Sequence, residues 1–181
     1  FAEGDDFPFT QTEMAYYEIA KEAGITMMPS RLILIEGKHH FLTERYDRIN
    51  GEKIHTQTLA AMNPDATSYE ELFEVCRKLS IPASEQSELY RRMVFNVMGG
   101  NVDDHIKNFS FLMERNGTWH ITPAYDMMFT TNLDGAAYEN VHSMSIAGKN
   151  SDITEDDLLQ FARQNGIKNA KKIIEKVSLR R

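Results

Sequence analysis

Gly100-Asn101-Val102-Asp103-Asp104-His105-Ile106-Lys107-Asn108 sets acceptor, donor and metal-ligating side chains into nine consecutive positions, and Asp126 follows eighteen residues after Asn108. Phosphoryl transfer from a nucleotide needs such a set: one carboxylate to orient the incoming hydroxyl, and two further oxygen ligands to hold Mg²⁺ against the phosphates. Asp103, with Asn108 five positions later, has the spacing at which a kinase catalytic loop presents its base and one metal ligand. Asp126 is then the second metal ligand. Lys107 lies between them and is placed to neutralise a transferring phosphoryl group. His105 either braces the loop or joins the chemistry, and Asp104 serves as a structural residue or as support for the metal. Taken singly, each of these residue types also satisfies turn backbone. The combination, with a returning carboxylate, points to a site.

The flanking elements must present that set. Ser84 to Met98 carries Leu89, Met93, Val94, Val97 and Met98 at helical spacing and ends at Gly99-Gly100, where a double glycine permits a sharp turn. Phe109 to Met113 and Trp119 to Thr122 flank Asn116-Gly117, a hairpin that leads into Pro123-Ala124-Tyr125-Asp126 and returns Asp126 towards Asp103. Upstream, Thr10-Gln11-Thr12-Glu13 is a capping-box pattern that opens a helix running to Gly24. Arg31 to Glu36 and His39 to Tyr46 read as strands about a Gly37-Lys38 turn, and Asn50-Gly51 marks another. His55 to Met62 reads as a short helix stopped by Asn63-Pro64. A further helix from Ser68 sets Tyr69, Leu72, Phe73, Cys76 and Leu79 on one face. After a loop-like stretch through Asn132, Gly135 and Gly148, Ile153 to Arg163 and Lys168 to Val177 close the chain as helices.

These elements make an α+β chain whose 181 residues suffice for one domain, or for two small lobes sharing a core. A formal charge of -7 opposes a broad grip on nucleic acid or an anionic membrane, so neither is expected as a direct partner. Cys76 is the sole cysteine, which excludes a disulfide framework or thiolate cage within the chain and fits a reducing, cytoplasmic home. No apolar run reaches the roughly 18 residues of a membrane span, and no signal segment opens the chain. The ten methionines read as core filling.

Asn101 to Phe111, followed by Thr122-Pro123-Ala124-Tyr125-Asp126, strongly resembles the HipA family of bacterial toxin kinases. Glu44-Arg45-Tyr46-Asp47-Arg48 resembles the family's hinge, Glu13 with Ala20-Lys21-Glu22 the helix beside the nucleotide pocket, and His142 to Gly148 the segment after the metal loop. The resemblance implies a kinase-like fold, mainly the helical C-terminal lobe from about residue 49, with a partial small lobe and hinge before it. It implies an ATP- and Mg²⁺-dependent serine/threonine kinase whose substrates in the family are aminoacyl-tRNA synthetases and whose restraint is a HipB-like, helix-turn-helix antitoxin. By position, Asp103 is the base, Asn108 and Asp126 are the Mg²⁺ ligands, and His105 and Lys107 are supporting groups. Glu44 and Tyr46 would border the adenine, unless they are plain strand residues. Gln57 is a further candidate for the pocket. Glu13 either closes the capping box or pairs with a phosphate-binding lysine.

The resemblance also predicts a glycine-rich loop and a nucleotide lysine ahead of the first helix, yet Phe1 to Phe9 holds one glycine and the first lysine is Lys21. The expectation is a fragment, split-gene product or degenerate paralogue whose hold on Mg-ATP is weak. Two other readings stay open: a non-catalytic kinase-like module that binds a partner, and a metal-dependent phosphohydrolase built on Asp103, Asp104, His105 and Asp126. The phosphohydrolase would draw further ligands from His55, His120 or His142.

Overall fold

The computed structural model describes residues 8–131 and 140–178; the predicted loop positions Asn132 and Gly135, and most of the predicted leader Phe1 to Phe9, lie outside them. Helix α1 (Phe9–Ala23) starts before the expected cap: Pro8 occupies the N-cap and its carbonyl accepts from Thr12 N at 2.9 Å. Thr10 is therefore helical, with its hydroxyl given to Gln11 Oε1, so the capping box does not form and the Glu13 side chain is released from that role. The helix ends as predicted at Gly24, whose φ of 88° is the left-handed C-cap conformation.

Strands β1 (Ser30–Ile35) and β2 (Lys38–Thr43) form an antiparallel hairpin. Glu36 and Gly37 both have positive φ, 50° and 77°, so the turn falls one residue earlier than the sequence pattern predicts. Tyr17 of α1 packs edge-on against Phe41, which fixes one face of the hairpin on the helix. β2 stops at Thr43 rather than at Tyr46. Beyond it Arg45 and Arg48 both bind the Asp47 carboxylate, and the Arg45 hydrogen bond, its strongest influence, helps hold that carboxyl down to about 2. The chain then makes the short hairpin β3 (Arg48–Ile49) and β4 (Glu52–Lys53) about Asn50-Gly51.

The expected helix over His55 to Met62 is half strand. β5 (His55–Thr58) pairs antiparallel with β6 (Ser110–Met113), from His55 opposite Met113 to Thr58 opposite Ser110, and only Leu59–Met62 is helical, as α2. Pairing across some fifty residues overrides the local pattern, and Thr58 becomes the N-cap of α2 by accepting from Ala61 N. β7 (Trp119–Ile121) completes the sheet in the order β5-β6-β7.

Helices α3 (Tyr69–Lys78), α4 (Ala83–Gly99), α5 (Glu155–Gln164) and α6 (Ala170–Ser178) follow the predicted periodicity. Their shared core sets Phe73 edge-on to Phe161 at 5.0 Å and Tyr90 nearly parallel to it at 6.2 Å, and burying each such ring contributes about 1.5–3 kcal/mol. Cys76 is fully buried there, and burial pushes its thiol up to about 12, so it packs as a small apolar residue. No helix among the described residues is long and apolar enough to cross a membrane.

The sheet is fastened to α4 by His120, whose Nδ1 lies 2.7 Å from Glu85 Oε1 while Nε2 faces Glu114 Oε1 at 3.5 Å. The Glu85 hydrogen bond, and then the Glu85 and Glu114 charges, raise the His120 pKa against the lowering effect of partial burial. A raised folded-state value stabilises the fold below the unfolded value of about 6.5, and the effect is lost as pH rises through the folded value. Wild type should therefore show a drop in Tm across that window which His120→Gln lacks, read by thermal melts from pH 5.5 to 8.5.

Candidate functional site

Helix α4 ends at Gly100 with φ 69°, and its carbonyl accepts from Thr130 N, Thr131 N and the Thr131 hydroxyl. A Cβ there would stand 2.8 Å from Thr131 Oγ1 and 2.9 Å from the Phe129 ring, so both backbone and space demand glycine. Gly100→Ala should cost about 1–3 kcal/mol in urea unfolding. Asn101 is buried next to it and ties the loop back to the helix, through its backbone N to Asn96 O and its side-chain Nδ2 to Asn96 Oδ1.

The next two residues diverge. Asp104 is 1% exposed and accepts from Tyr69 Oη at 2.7 Å, His142 Nδ1 at 2.9 Å and Ser143 N at 2.8 Å. It is a latch joining the loop to α3 and to residues 142–143. Burial first, then the Asp104 charge, pushes the Tyr69 hydroxyl well above its ordinary range, so Tyr69 remains a donor. The Asp103 side chain, by contrast, is 59% exposed, and His105 Nε2 stands 3.9 Å from its carboxylate. Its peptide is held from both ends: Asp103 N donates to Thr130 Oγ1 at 3.1 Å and Asp103 O accepts from Asn108 Nδ2 at 3.0 Å. The result is a fixed backbone carrying a carboxylate with lone pairs to spare.

Residues Ile106–Asn108 form a single 3-10 turn that carries Asn108 back to Asp103. Two carbonyl oxygens repel, so the amide nitrogen must face Asp103 O, which leaves Asn108 Oδ1 as an unspent acceptor. The Lys107 side chain is exposed, and its carbonyl accepts from Tyr125 Oη. His105 keeps its Nδ1 buried without a hydrogen-bond partner.

The β6-β7 hairpin delivers Asp126 to the same crevice as Asn108, beside Arg92, Asn96 and Met127. Arg92, itself buried, donates to Thr122 O, and Ala124 N donates to Thr26 O, so the returning strand is gripped from both sides. Asp126 has φ 55° and an exposed side chain, a conformation uncommon outside glycine and concentrated at functional sites. Burial, and then the Asp126 charge, raise the pKa of Glu13 on α1. The Asp126 carboxylate and the Asn108 amide, which line one crevice, are of the donor type that suits a hard divalent cation. Mg²⁺ takes one or two such protein ligands and fills its remaining positions with phosphate and water.

Tyr46 and Tyr125 stack at 5.6 Å with ring planes 20° apart, and Tyr125 Oη also bonds Ser110 Oγ. They line a cleft of about 190 Å³ with Met28, Glu44 and Ala124. The hinge-like segment thus sits against the residue that precedes Asp126.

The HipA-like C-terminal domain family model matches residues 1–180. The chain belongs to this family. A Haemophilus influenzae protein named "Putative kinase" is 26% identical over 96% of the chain and 60% of its own length. "Putative kinase Y4mE" of Sinorhizobium fredii is 29% identical over 67% of the chain and 32% of its own length. The serine/threonine-protein kinase toxin HipA of Shewanella oneidensis is 33% identical over 35% of the chain and 14% of its own length. A solved HipA chain from the same organism, in a complex of HipA, HipB and operator DNA, superposes with a TM-score of 0.70 at 20% identity, over 98% of this chain and 51% of that one. The chain therefore has the kinase-like HipA fold and spans between about a third and three fifths of the first two relatives' length.

Within this HipA-like frame, Asp103, His105, Lys107 and Asn108 share one loop, Asp126 joins Asn108, and Glu13 feels the Asp126 charge. Glu44 and Tyr46 border the hinge cleft. Gln57 stands apart, exposed on β5 opposite Phe111 and lining neither crevice. His55, His120 and His142 are dispersed, against Trp119, Glu85 and Asp104 respectively. Sequence reading passed over Thr130, Tyr69 and the structural use of Tyr125. The only trace of Tyr125 was its position beside Asp126, and a threonine four residues after Asp126 carries no motif.

Proposed function

We propose that these residues form the base and metal half of an ATP-dependent serine/threonine protein kinase site of the HipA type. The observation that carries this reading is the Asn108 amide, which spends its nitrogen on the Asp103 carbonyl while the residue lines the crevice it shares with Asp126. One side chain thereby ties the base to the metal position. ATP with Mg²⁺ would supply the phosphoryl group and neutralise the charge that develops on it. Asp103 accepts the proton of a protein Ser or Thr hydroxyl as its oxygen bonds the γ-phosphorus and ADP leaves. Lys107 offsets charge on the moving group, His105 braces the loop, and Glu44 and Tyr46 border the adenine.

Glu13, freed from capping, is the partner for a phosphate-binding lysine, whereas Gln57 takes no part. We take the chain up to about residue 48 as small lobe and hinge and the remainder as the helical lobe. A cytoplasmic location, an aminoacyl-tRNA synthetase as substrate class and a HipB-like antitoxin as partner belong to the same reading. The antitoxin draws support from the HipB present with the Shewanella HipA.

These 181 residues contain no glycine-rich run ahead of α1 and no lysine before Lys21, so the polypeptide alone should hold Mg-ATP weakly. The test is label transfer from γ-labelled ATP at millimolar nucleotide and Mg²⁺, followed by phosphoamino-acid analysis. Slow formation of phosphoserine or phosphothreonine, increasing with nucleotide without saturating at micromolar levels, is expected. Label released only as inorganic phosphate, with Mn²⁺ or Zn²⁺ bound tightly in the absence of nucleotide, would instead support the phosphohydrolase.

A further inference from the structure

Thr130 lies four residues beyond Asp126, and its hydroxyl uses all its hydrogen-bonding capacity on the loop that carries Asp103. Oγ1 accepts from Val102 N at 2.8 Å and from Asp103 N at 3.1 Å, and donates to Asn101 Oδ1 at 3.3 Å. A threonine hydroxyl offers two lone pairs and one proton, and all three are engaged. The Thr130 backbone adds N to Gly100 O at 3.1 Å, so one residue contacts four consecutive positions of the loop.

We propose that Thr130 is a positioning residue for the base, aligning Asp103 through its peptide rather than through its carboxylate. This rests on the reading of Asp103 as the base. The two grips on that peptide come from opposite sides of the site, Thr130 on the N–H and Asn108 on the C=O. Asn108 belongs to the metal pair. Thr130 follows Asp126 in the same irregular segment after β7, so the position of that segment is transmitted to the loop by one hydroxyl. Hydrogen bonds to peptide groups fix the Cα–Cβ direction while leaving the carboxylate unshielded, the condition a general base requires. Valine at this position keeps the shape and removes the acceptor, leaving two adjacent N–H groups unpaired.

The test compares wild type, Thr130→Val and Thr130→Ser of the 181-residue chain in two measurements. Amide hydrogen exchange at Val102 and Asp103 should speed up at least about tenfold in Thr130→Val and return close to wild type in Thr130→Ser, with core amides of α3 and α4 unchanged. Phosphoryl transfer should show kcat lowered about 10- to 100-fold in Thr130→Val, with KM for Mg-ATP within about twofold, and recovered in Thr130→Ser. Unchanged exchange at Val102 and Asp103 overturns the proposal. So does a loss of transfer that appears only in KM, or one that serine fails to restore. Should wild type transfer no phosphoryl group, the kinase reading fails on its own, and the proposal falls with it even where the exchange result shows that the hydroxyl holds the loop.

Discussion

Asp103→Ala should lower the rate of phosphoryl transfer by about 10²–10⁴, the usual contribution of a positioned general base, while changing the affinity for Mg-ATP by less than about twofold. The separation follows from where Asp103 stands. Its carboxylate is exposed and makes no short bond within the protein, whereas the loop backbone is carried by Thr130, Asn108 and Asp104. Removing the carboxylate therefore leaves the metal and nucleotide contacts in place. Single-turnover rates at several millimolar concentrations of Mg-ATP check this, because weak binding is then separated from slow chemistry. Asp103→Asn should be nearly as slow as Asp103→Ala, since an amide of the same shape cannot accept the proton. Equal rates for wild type and both variants would remove Asp103 from the chemistry.

Asp104→Ala should act on the fold instead, costing about 3–5 kcal/mol by chemical denaturation, because three donors lose one shared buried acceptor. Tyr69 Oη, the His142 ring and Ser143 N would all lose their acceptor inside the protein, and each orphaned donor costs about 1–3 kcal/mol. That is a large part of the roughly 5–15 kcal/mol by which a domain of this kind is stable. Asp104→Asn keeps one acceptor oxygen and should cost less. A loss under about 1 kcal/mol in Asp104→Ala would show that the latch is dispensable. The adjacent aspartates would thus separate cleanly, one affecting rate and the other stability.

The sequence separates the two only by spacing, with Asp103 five positions before Asn108 and Asp104 left as structural or as support for the metal. What decides between them is Tyr69, thirty-five residues before Asp104, and His142, thirty-eight after it, contacts that no local pattern encodes. The motif and its hairpin were legible because their determinants are short-range: a left-handed glycine after α4, an Asn-Gly turn, and apolar residues at helical spacing. Failures arose where distant partners prevailed. Residues 55–58 follow β6 into a sheet, and Thr10 is passed over as a cap because the helix starts earlier, at Pro8. That shift also frees the Glu13 side chain, whose pKa is raised by burial and then by the Asp126 charge. Gln57, chosen on loose likeness alone, went with the strand and away from the site.

The pairing of Asn108 with Asp126 about one cation is most directly tested by Mn²⁺ titration followed by electron paramagnetic resonance, with a millimolar non-hydrolysable ATP analogue present. Wild type and Asp103→Ala should bind Mn²⁺ alike in the presence of nucleotide, whereas Asp126→Ala and Asn108→Ala should each weaken it by about tenfold or more. Equal Mn²⁺ affinity in wild type and in both ligand variants would contradict the assignment of this crevice as the metal half of a kinase site.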